Sequence, residues 1–250
     1  AYVRASKLYA GRLISTKFTA CEPALITTHW SLDRSESLEV PIASREGSWQ
    51  FAEDYVGEDF VIAAARARAD ELGISCVSSG AGAALRFLAA SVHARNVVEI
   101  GTGTGVSGLW LLRGMTADGI LTSIDIEGEH LRQAREAFAE DGIRPNRTRL
   151  ITGRALDVMP RLADGAYDLV LIDGTPDEYL HCLEQAIRLV RSRGIIVFAS
   201  AFGNDLVADP AQRDPETIER RTLVEAVRED ERLVPVLLPV GDGLLAAIVY

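Results

Sequence analysis

Val97-Val98-Glu99-Ile100-Gly101-Thr102-Gly103-Thr104-Gly105 is the stretch that decides the fold of this chain. Its first four residues form a short, mostly apolar run, and residues 101–105 form a glycine loop. Apolar residues at helical spacing follow the loop, at Leu109 and Leu112. Glycines let the backbone turn sharply and let a ligand approach without meeting a Cβ, and the free N–H groups of the next helix favour a carboxylate or a phosphate. The stretch therefore predicts a strand, a ligand-binding turn and a helix in succession.

Strands and helices alternate along most of the chain. Further strands are predicted at Ile120–Asp125, Thr148–Thr152, Tyr167–Asp173 and Gly194–Phe198. Helices are predicted at Glu58–Leu72, Ala81–His93 and Tyr179–Val190, and Asp214-Pro215-Glu216 marks the start of another. Short connections between alternating elements indicate a parallel sheet that is covered on both faces.

The end of the chain breaks this alternation. Two apolar runs, Leu233–Leu238 and Leu244–Val249, flank the turn Gly241-Asp242-Gly243, which is a hairpin signal. We therefore expect an α/β fold with a Rossmann-like, seven-stranded, mostly parallel sheet, a C-terminal antiparallel hairpin and helices on both faces.

The first 53 residues differ from the rest because no hydrophobic period is sustained there. Polar residues are scattered among Pro23, Pro41 and Gly47. We expect residues 1–53 to be an irregular N-terminal extension or an arm that docks on a partner, and residues 54–250 to form the folded domain.

Composition narrows the classes of function. The formal net charge of -10 argues against a protein that grips nucleic acid through a basic surface, and no apolar run reaches the ~18 residues that span a bilayer. Lys7 and Lys17 are the only lysines, so none is available downstream for a Schiff base or a Walker-type phosphate grip. Cys21, Cys76 and Cys182 form no metal-ligand spacing, and reduced thiols suit a cytoplasmic protein.

Two acidic residues lie near the ends of neighbouring predicted strands, Glu99 in the first and Asp125 in the second. A carboxylate at the second position can accept both hydroxyls of a ribose, so the loop and this acid together indicate an adenosine-containing ligand. An NAD interpretation takes Gly103, Gly105 and Gly108 as G-x-G-x-x-G, although this motif starts two residues beyond the expected strand end. A methyl-donor interpretation takes E-x-G-x-G-x-G from Glu99 and also accounts for the hairpin.

Five stretches carry a resemblance to a known family. They are CVSSGAGAAL, VVEIGTGTGVSGLWLL, LTSIDIEGEHLRQARE, YDLVLIDG and VGDGLLAAIV. In them the sequence resembles class I S-adenosylmethionine-dependent methyltransferases, and among these the bacterial O-methyltransferases related to catechol and caffeoyl-CoA O-methyltransferases (family 3 type). The resemblance spans roughly Glu58 to Val249 and implies a methyltransferase domain over residues 54–250 with S-adenosylmethionine as its cofactor.

The resemblance implies roles position by position. The implied cofactor-binding residues are Val77, Glu99, Gly101, Thr102, Gly103, Ser107, Asp125, Ile126, Arg154, Ala155 and Asp173. Ser107 matches a hydroxyl that binds the cofactor carboxylate, Asp125 matches the ribose acid, and Ile126 matches a residue beside the adenine. Asp173 matches an acid next to the reacting methyl group and is therefore the implied catalytic residue.

Departures from the family pattern bear on the mechanism. Metal-dependent relatives combine the acid after the fourth strand with an Asp-Asn pair after the fifth, and this chain has Ala199-Ser200 in place of the pair. A hard cation needs several oxygen ligands, which Asp173 alone does not supply, although Asp205 or Asp209 could contribute from the next loop. Pro176 stands where relatives often carry a lysine. We therefore expect no divalent metal.

The expected function is S-adenosylmethionine-dependent O-methylation of a small-molecule hydroxyl by a cytoplasmic homodimer, with neither nucleic acid nor membrane as a partner. Methyl transfer mostly requires a nucleophile held in line, and a base is needed only for an acceptor of high pKa. Asp173 is the first candidate base, followed by His181 and Tyr179. Two alternatives stay open: a cofactor-binding regulatory module without catalysis, because Ala199-Ser200 and Pro176 replace the family residues, and an NAD-dependent oxidoreductase.

Overall fold

Seven strands form one sheet in the computed structural model, which describes residues 44–250. The strands are β1 (Asn96–Ile100), β2 (Ile120–Asp125), β3 (Thr148–Thr152), β4 (Tyr167–Ile172), β5 (Val190–Phe198), β6 (Leu233–Leu238) and β7 (Leu244–Val249). Their order is β3-β2-β1-β4-β5-β7-β6, in which β1 to β5 are parallel and β7 is antiparallel to both of its neighbours. The expected seven-stranded sheet with an antiparallel C-terminal pair is confirmed.

Eight α-helices accompany the sheet within residues 44–250. They are α1 (Arg45–Glu53), α2 (Phe60–Leu72), α3 (Ser79–Ser91), α4 (Val106–Gly114), α5 (Gly128–Glu140), α6 (Ala155–Val158), α7 (Tyr179–Leu189) and α8 (Pro215–Glu229). Local sequence explains several helix ends: Asp59 caps α2 by accepting from the N–H of Ile62 (3.1 Å), and Gly73 ends it in a left-handed conformation. None of the helices in this part of the chain is long and apolar enough to cross a membrane.

Helices cover both faces of the sheet. On one face, buried side chains of α2 to α5 form a hydrophobic core that includes Val97 of β1. On the other face, buried side chains of α6 to α8 form a second core that includes Val98 of β1. Successive residues of a strand point to opposite faces, so β1 contributes to both cores. Strand β4 is buried along its whole length, as its continuous apolar run predicts.

The loops that follow the parallel strands leave the sheet at the carboxyl ends of those strands. The N–H of Asp173 donates to the carbonyl of Ile100 (2.9 Å), and the N–H of Ala199 donates to the carbonyl of Ile172 (3.0 Å). The glycine loop, Asp173 and Ala199 therefore lie side by side at the carboxyl ends of the strands, where open α/β sheets bind ligands.

Helix α1 corrects one expectation. The sequence predicts an irregular segment up to residue 53, whereas Arg45–Glu53 is helical. Its last residue, Glu53, accepts hydrogen bonds from Ser78 Oγ (2.6 Å), from the N–H of Gly80 (3.0 Å) and from the N–H of Gly241. The rest of the expected arm lies outside the described residues, and the division of the chain at residue 53 stays a prediction.

Candidate active site

A cavity of about 510 Å³ opens at the carboxyl edge of the sheet. Its volume lies within the range of small-molecule sites. The residues predicted from the sequence that line it are Val77, Gly101, Thr102, Gly103, Ser107, Asp125, Ile126, Arg154, Ala155 and Asp173. The fold thus brings together all the implied cofactor-binding positions except one.

Glu99 is the exception, because it is fully buried beneath the glycine loop and does not line the cavity. Its Oε1 accepts a hydrogen bond from Ser107 Oγ (2.6 Å) and its Oε2 accepts one from Ser123 Oγ (2.5 Å). The Ser123 hydroxyl also lies 2.6 Å from Thr102 Oγ1. Burial raises the pKa of Glu99 to about 7, although the two serine hydroxyls oppose the rise. Glu99 therefore holds two residues of the cavity wall in place from behind.

This network changes what Ser107 can offer a ligand. The hydroxyl hydrogen of Ser107 is donated to Glu99, so the lone pairs of its oxygen are left for the cavity and suit an ammonium donor. A contact between Ser107 and a carboxylate, which the family resemblance implies, requires that hydrogen to be released. Protonation of Glu99 would release it, because the protonated acid can donate to Ser107. The binding role of Ser107 stays a prediction.

The glycine loop comes close to Asp173 because it carries no side chain at the point of contact. Gly101 has a φ of +86°, and a Cβ built on it would lie 2.2 Å from the carbonyl oxygen of Asp173. Both facts require glycine at this position. The loop therefore leaves the end of β1 open to a ligand.

Asp125 is fixed at the end of β2 by three hydrogen bonds. Its carboxylate accepts from the N–H of Gly103 (2.9 Å) and the N–H of Glu127 (2.9 Å), and His130 Nδ1 lies 3.1 Å away. Because a carboxylate only accepts, Nδ1 carries the hydrogen in this contact. His130 also lines the cavity, a position for which the sequence gives no functional signal. The arrangement holds the carboxylate still while leaving lone pairs free for a ligand.

The charged residues of the cavity wall are mostly acidic. Asp125, Asp173, Asp177 and Glu178 line it together with one arginine, Arg154, whose Nη2 pairs with Glu178 (2.5 Å). Such a wall favours a ligand that carries positive charge and disfavours the two phosphates of a pyridine dinucleotide. The chemistry of this wall therefore fits a sulfonium nucleoside better than NAD.

The family model described as O-methyltransferase matches residues 56–248. This chain belongs to the O-methyltransferase family. A relative from Mycobacterium tuberculosis, described as a probable O-methyltransferase, is 51% identical over 209 residues, which cover 83% of this chain and 93% of the relative.

Solved structures agree with this family. A protein from Corynebacterium glutamicum is 33% identical with a TM-score of 0.76, and the match covers 82% of this chain and 96% of that chain. The O-methyltransferase TomG from Streptomyces achromogenes, solved in complex with S-adenosylmethionine, is 26% identical with a TM-score of 0.73 over 82% of this chain and 99% of that one. The methyl-donor interpretation of the glycine loop is thereby preferred to the NAD interpretation.

Of the three candidate bases of this O-methyltransferase, Asp173 lines the cavity, whereas Tyr179 and His181 do not. Burial raises the pKa of Asp173 to about 6; neighbouring Asp242 adds to the rise and Arg220 opposes it. Tyr179 is buried in α7, and burial raises the pKa of its hydroxyl well above the usual value, so it stays protonated at neutral pH. His181 is exposed on α7 and faces a separate surface groove, so its candidacy as a base is not supported.

The segment after β5 does not fit a divalent cation in this O-methyltransferase. Ala199 has no ligand atom on its side chain, and the carbonyl of Ser200 accepts from Arg220 Nε (3.1 Å). The Asp209 carboxylate accepts hydrogen bonds within its own loop from Ala211 and Gln212. Within residues 44–250 no three His, Cys, Asp or Glu side chains are grouped so as to hold a metal ion. Metal independence of the methyl transfer stays a prediction.

Sequence reasoning missed part of the cavity wall. The missed lining residues include Ile74, Ser75, Cys76, His130, Thr175, Asp177 and Glu178. Three of them directly precede Val77, which the resemblance did identify, so the segment that passes over the cavity is longer than expected. Arg66 fixes this segment by donating from Nη2 to the carbonyl of Val77 (2.7 Å).

Proposed function

We propose that this O-methyltransferase transfers the methyl group of S-adenosylmethionine to a small-molecule hydroxyl without the help of a divalent cation. The observation that carries the proposal is one acidic cavity with Asp125 at the end of β2 and Asp173 at the end of β4. The first carboxylate suits a ribose, and the second lies where the acceptor hydroxyl would lose its proton.

The donor would be held by the chain along the cavity wall. Asp125 would accept the ribose hydroxyls, and the glycine loop would lie against the methionine part. Ile126, whose side chain is 62% exposed, offers an apolar surface beside the adenine. Arg154 and Ala155 would close the adenine end. These assignments come from the family resemblance, and the lining of the cavity supports them.

Bound S-adenosylmethionine supplies a methyl carbon already activated by a positively charged sulfur. The protein must therefore align the acceptor oxygen and remove its proton. With a pKa of about 6, Asp173 is ionised at neutral pH and can accept that proton. The pKa of a phenol lies ~4 units above that of Asp173, so moving its proton to the carboxylate costs ~5 kcal/mol. The pKa of a water-like hydroxyl lies ~10 units above, and the same transfer costs ~13 kcal/mol. The acceptor class supported best is an acidic hydroxyl such as a phenol.

A homodimer and a cytoplasmic location belong to the same proposal. Helix α1 and the segment after it expose large apolar side chains, including Phe51 (71% exposed) and Tyr55 (76%), and Phe60 at the start of α2 is 85% exposed. Such side chains are typical of an interface between copies of a chain. Cys76 and Cys182 are free thiols among the described residues, as is usual in a reducing compartment. Light scattering that shows a monomer would contradict the dimer.

Calorimetry and product analysis test the proposal. We expect S-adenosylmethionine and its demethylated product to bind at micromolar concentration, NADH not to bind, and at least one member of a phenol and catechol panel to be methylated equally with EDTA and with Mg²⁺. Binding without methylation across the panel would favour a regulatory module. Activity that disappears with EDTA would contradict metal independence.

A further inference from the structure

We propose that Arg220 and Asp173 together form a subsite for the ionised oxygen of the acceptor, with the guanidinium in the place where metal-dependent relatives hold a cation. The subsite rests on the proposed methyl transfer. It assigns a residue of α8, which neither the sequence motifs nor the cavity lining identifies, to the binding of the acceptor.

The guanidinium of Arg220 is held on the segment after β5. Its Nε donates to the carbonyl of Ser200 (3.1 Å), one residue after Ala199, and its Nη1 donates to Glu216 Oε2 (3.2 Å) one turn earlier in α8. Gly203 makes room for the stem, because a Cβ at that position would lie 2.9 Å from Arg220 Cδ. The side chain is only 15% exposed. Arg220 is therefore fixed on the segment that carries the metal-ligand pair in metal-dependent relatives.

The charge of Arg220 reaches the site of the reaction. It lowers the pKa of Asp173, of Tyr179 and of Asp242, against the rise that burial causes in each of them. Asp242 lies in the β6–β7 turn, and Asp205, from the loop after β5, raises the pKa of Asp242 further. The N–H of Ala199 donates to the carbonyl of Ile172 (3.0 Å), which directly precedes Asp173, so the Ser200 carbonyl that holds Arg220 lies beside the strand end that carries Asp173.

Arg220 also has donors left for a ligand. Within residues 44–250 its Nη2 makes no hydrogen bond, while Nε and Nη1 are used to fix the side chain. No lysine follows Lys17, and Pro176 replaces the one that relatives often carry near Asp173. In the described part of the chain, Arg220 is the cation whose charge acts on the Asp173 carboxyl.

With Arg220 and Asp173 placed in this way, the methyl group can be transferred to the acceptor oxygen without a metal ion. The acceptor O–H proton moves to the Asp173 carboxylate, and Arg220 donates hydrogen bonds to the oxygen as its negative charge develops. An oxygen lone pair then forms the bond to the methyl carbon, and the electrons of the broken C–S bond stay on sulfur. Arg220 remains charged throughout. The ligand chemistry that fits is a phenolate or another hydroxyl acidic enough for a carboxylate to deprotonate.

Ionisation of a coloured phenol tests the subsite without turnover. We would titrate 4-nitrocatechol with pH in the presence of the protein saturated with S-adenosylhomocysteine and follow the absorbance of the phenolate. Wild type should lower the ionisation pH of the bound probe by about one unit, a tenfold gain in phenolate, because a nearby cation favours the anion. Arg220→Gln should abolish the shift. Arg213→Gln removes a charge from an exposed arginine just before α8 and should behave as wild type.

Two further measurements keep the test independent of folding defects. Asp242→Asn leaves Arg220 in place and removes a competing negative charge, so it should enlarge the shift. Arg220→Gln should lower kcat for the probe on the order of 100-fold, while the Kd for S-adenosylhomocysteine stays within about twofold of wild type.

Several results would overturn the subsite. They are an unchanged shift in Arg220→Gln, an unchanged or smaller shift in Asp242→Asn, loss of the shift with EDTA, and failure of the probe to bind a wild-type protein that binds S-adenosylhomocysteine. Failure of S-adenosylhomocysteine itself to bind would overturn the proposed function, and the subsite with it.

Discussion

Replacing Glu99 by glutamine tests the buried network beneath the glycine loop. The pKa of Glu99 is raised by burial from 4.5 to about 7, so between these pH values the native state binds more protons than the unfolded chain. Glu99 must then contribute a fall in the free energy of unfolding as pH rises through this window, and its contribution levels off above it. The full difference of about 2.5 pKa units corresponds to ~3 kcal/mol. Glutamine keeps the shape of the side chain and does not titrate, so the variant lacks this fall.

Urea unfolding at a series of pH values between about 4.5 and 8 measures the effect. The free energy of unfolding of wild type minus that of Glu99→Gln should decrease by ~3 kcal/mol up to about pH 7 and then stay constant. Glu46→Gln, which changes an exposed glutamate of α1, should give a difference from wild type that does not vary with pH. A pH-independent difference for Glu99→Gln, or one that grows with pH, would refute this account of the network.

Three further predictions concern the site and its supports. Because Asp173 must be ionised to accept a proton, kcat should rise with pH through about 6. In steady-state assays, Asp173→Asn should show no such rise, and its kcat should be lower by ~10²–10⁴-fold. In urea unfolding, Gly101→Ala should lower the stability of the protein by at least ~1–3 kcal/mol, because Gly101 has a positive φ and the added methyl would clash with the Asp173 carbonyl. Gly174→Ala is the control and should be tolerated, because the Cβ at that position would lie 3.7 Å from its nearest neighbour. Glu53→Gln should cost ~1–3 kcal/mol in the same assay, because the amide would face N–H donors that the carboxylate now satisfies. Equal stability of the two glycine variants, a retained pH limb in Asp173→Asn or a neutral Glu53→Gln would each contradict the corresponding contact.

The sheet could be predicted from sequence because buried parallel strands leave continuous apolar runs. The expected Tyr167–Asp173 strand differs from β4 by one residue. Strand β5 was harder to predict: it begins at Val190, four residues before the expected Gly194, and the three residues between them are polar. Its pairing with β4 shifts register between Tyr167 and Leu169, so no regular pattern marks its start.

Helix α1 was not predictable for a different reason. It buries none of its residues, so it has no apolar stripe to recognise. One of its fixed points is the contact between Glu53 and Gly241, which are 188 residues apart in the chain. A single sequence does not reveal a contact over such a separation.

The candidate site, like the fold, has a part that the sequence predicts and a part that it does not. The glycine loop and Asp125 are recognisable because their spacing after two strands is dictated by the backbone. Arg220 and His130 are not, because each reaches the site through side-chain contacts across a turn or from a later helix. The family resemblance identified Glu99 by position but not that it supports the wall from beneath.

Binding of S-adenosylhomocysteine to the wild-type protein and to Asp125→Asn, measured by titration calorimetry, tests the central claim most directly. The account predicts micromolar affinity for the wild type and a loss of ~10–100-fold in the variant, because the carboxylate that accepts the ribose hydroxyls becomes a neutral amide. Asp157→Asn, an exposed acid of α6, should bind as the wild type does. No binding to the wild type, or equal affinity of Asp125→Asn, would contradict it.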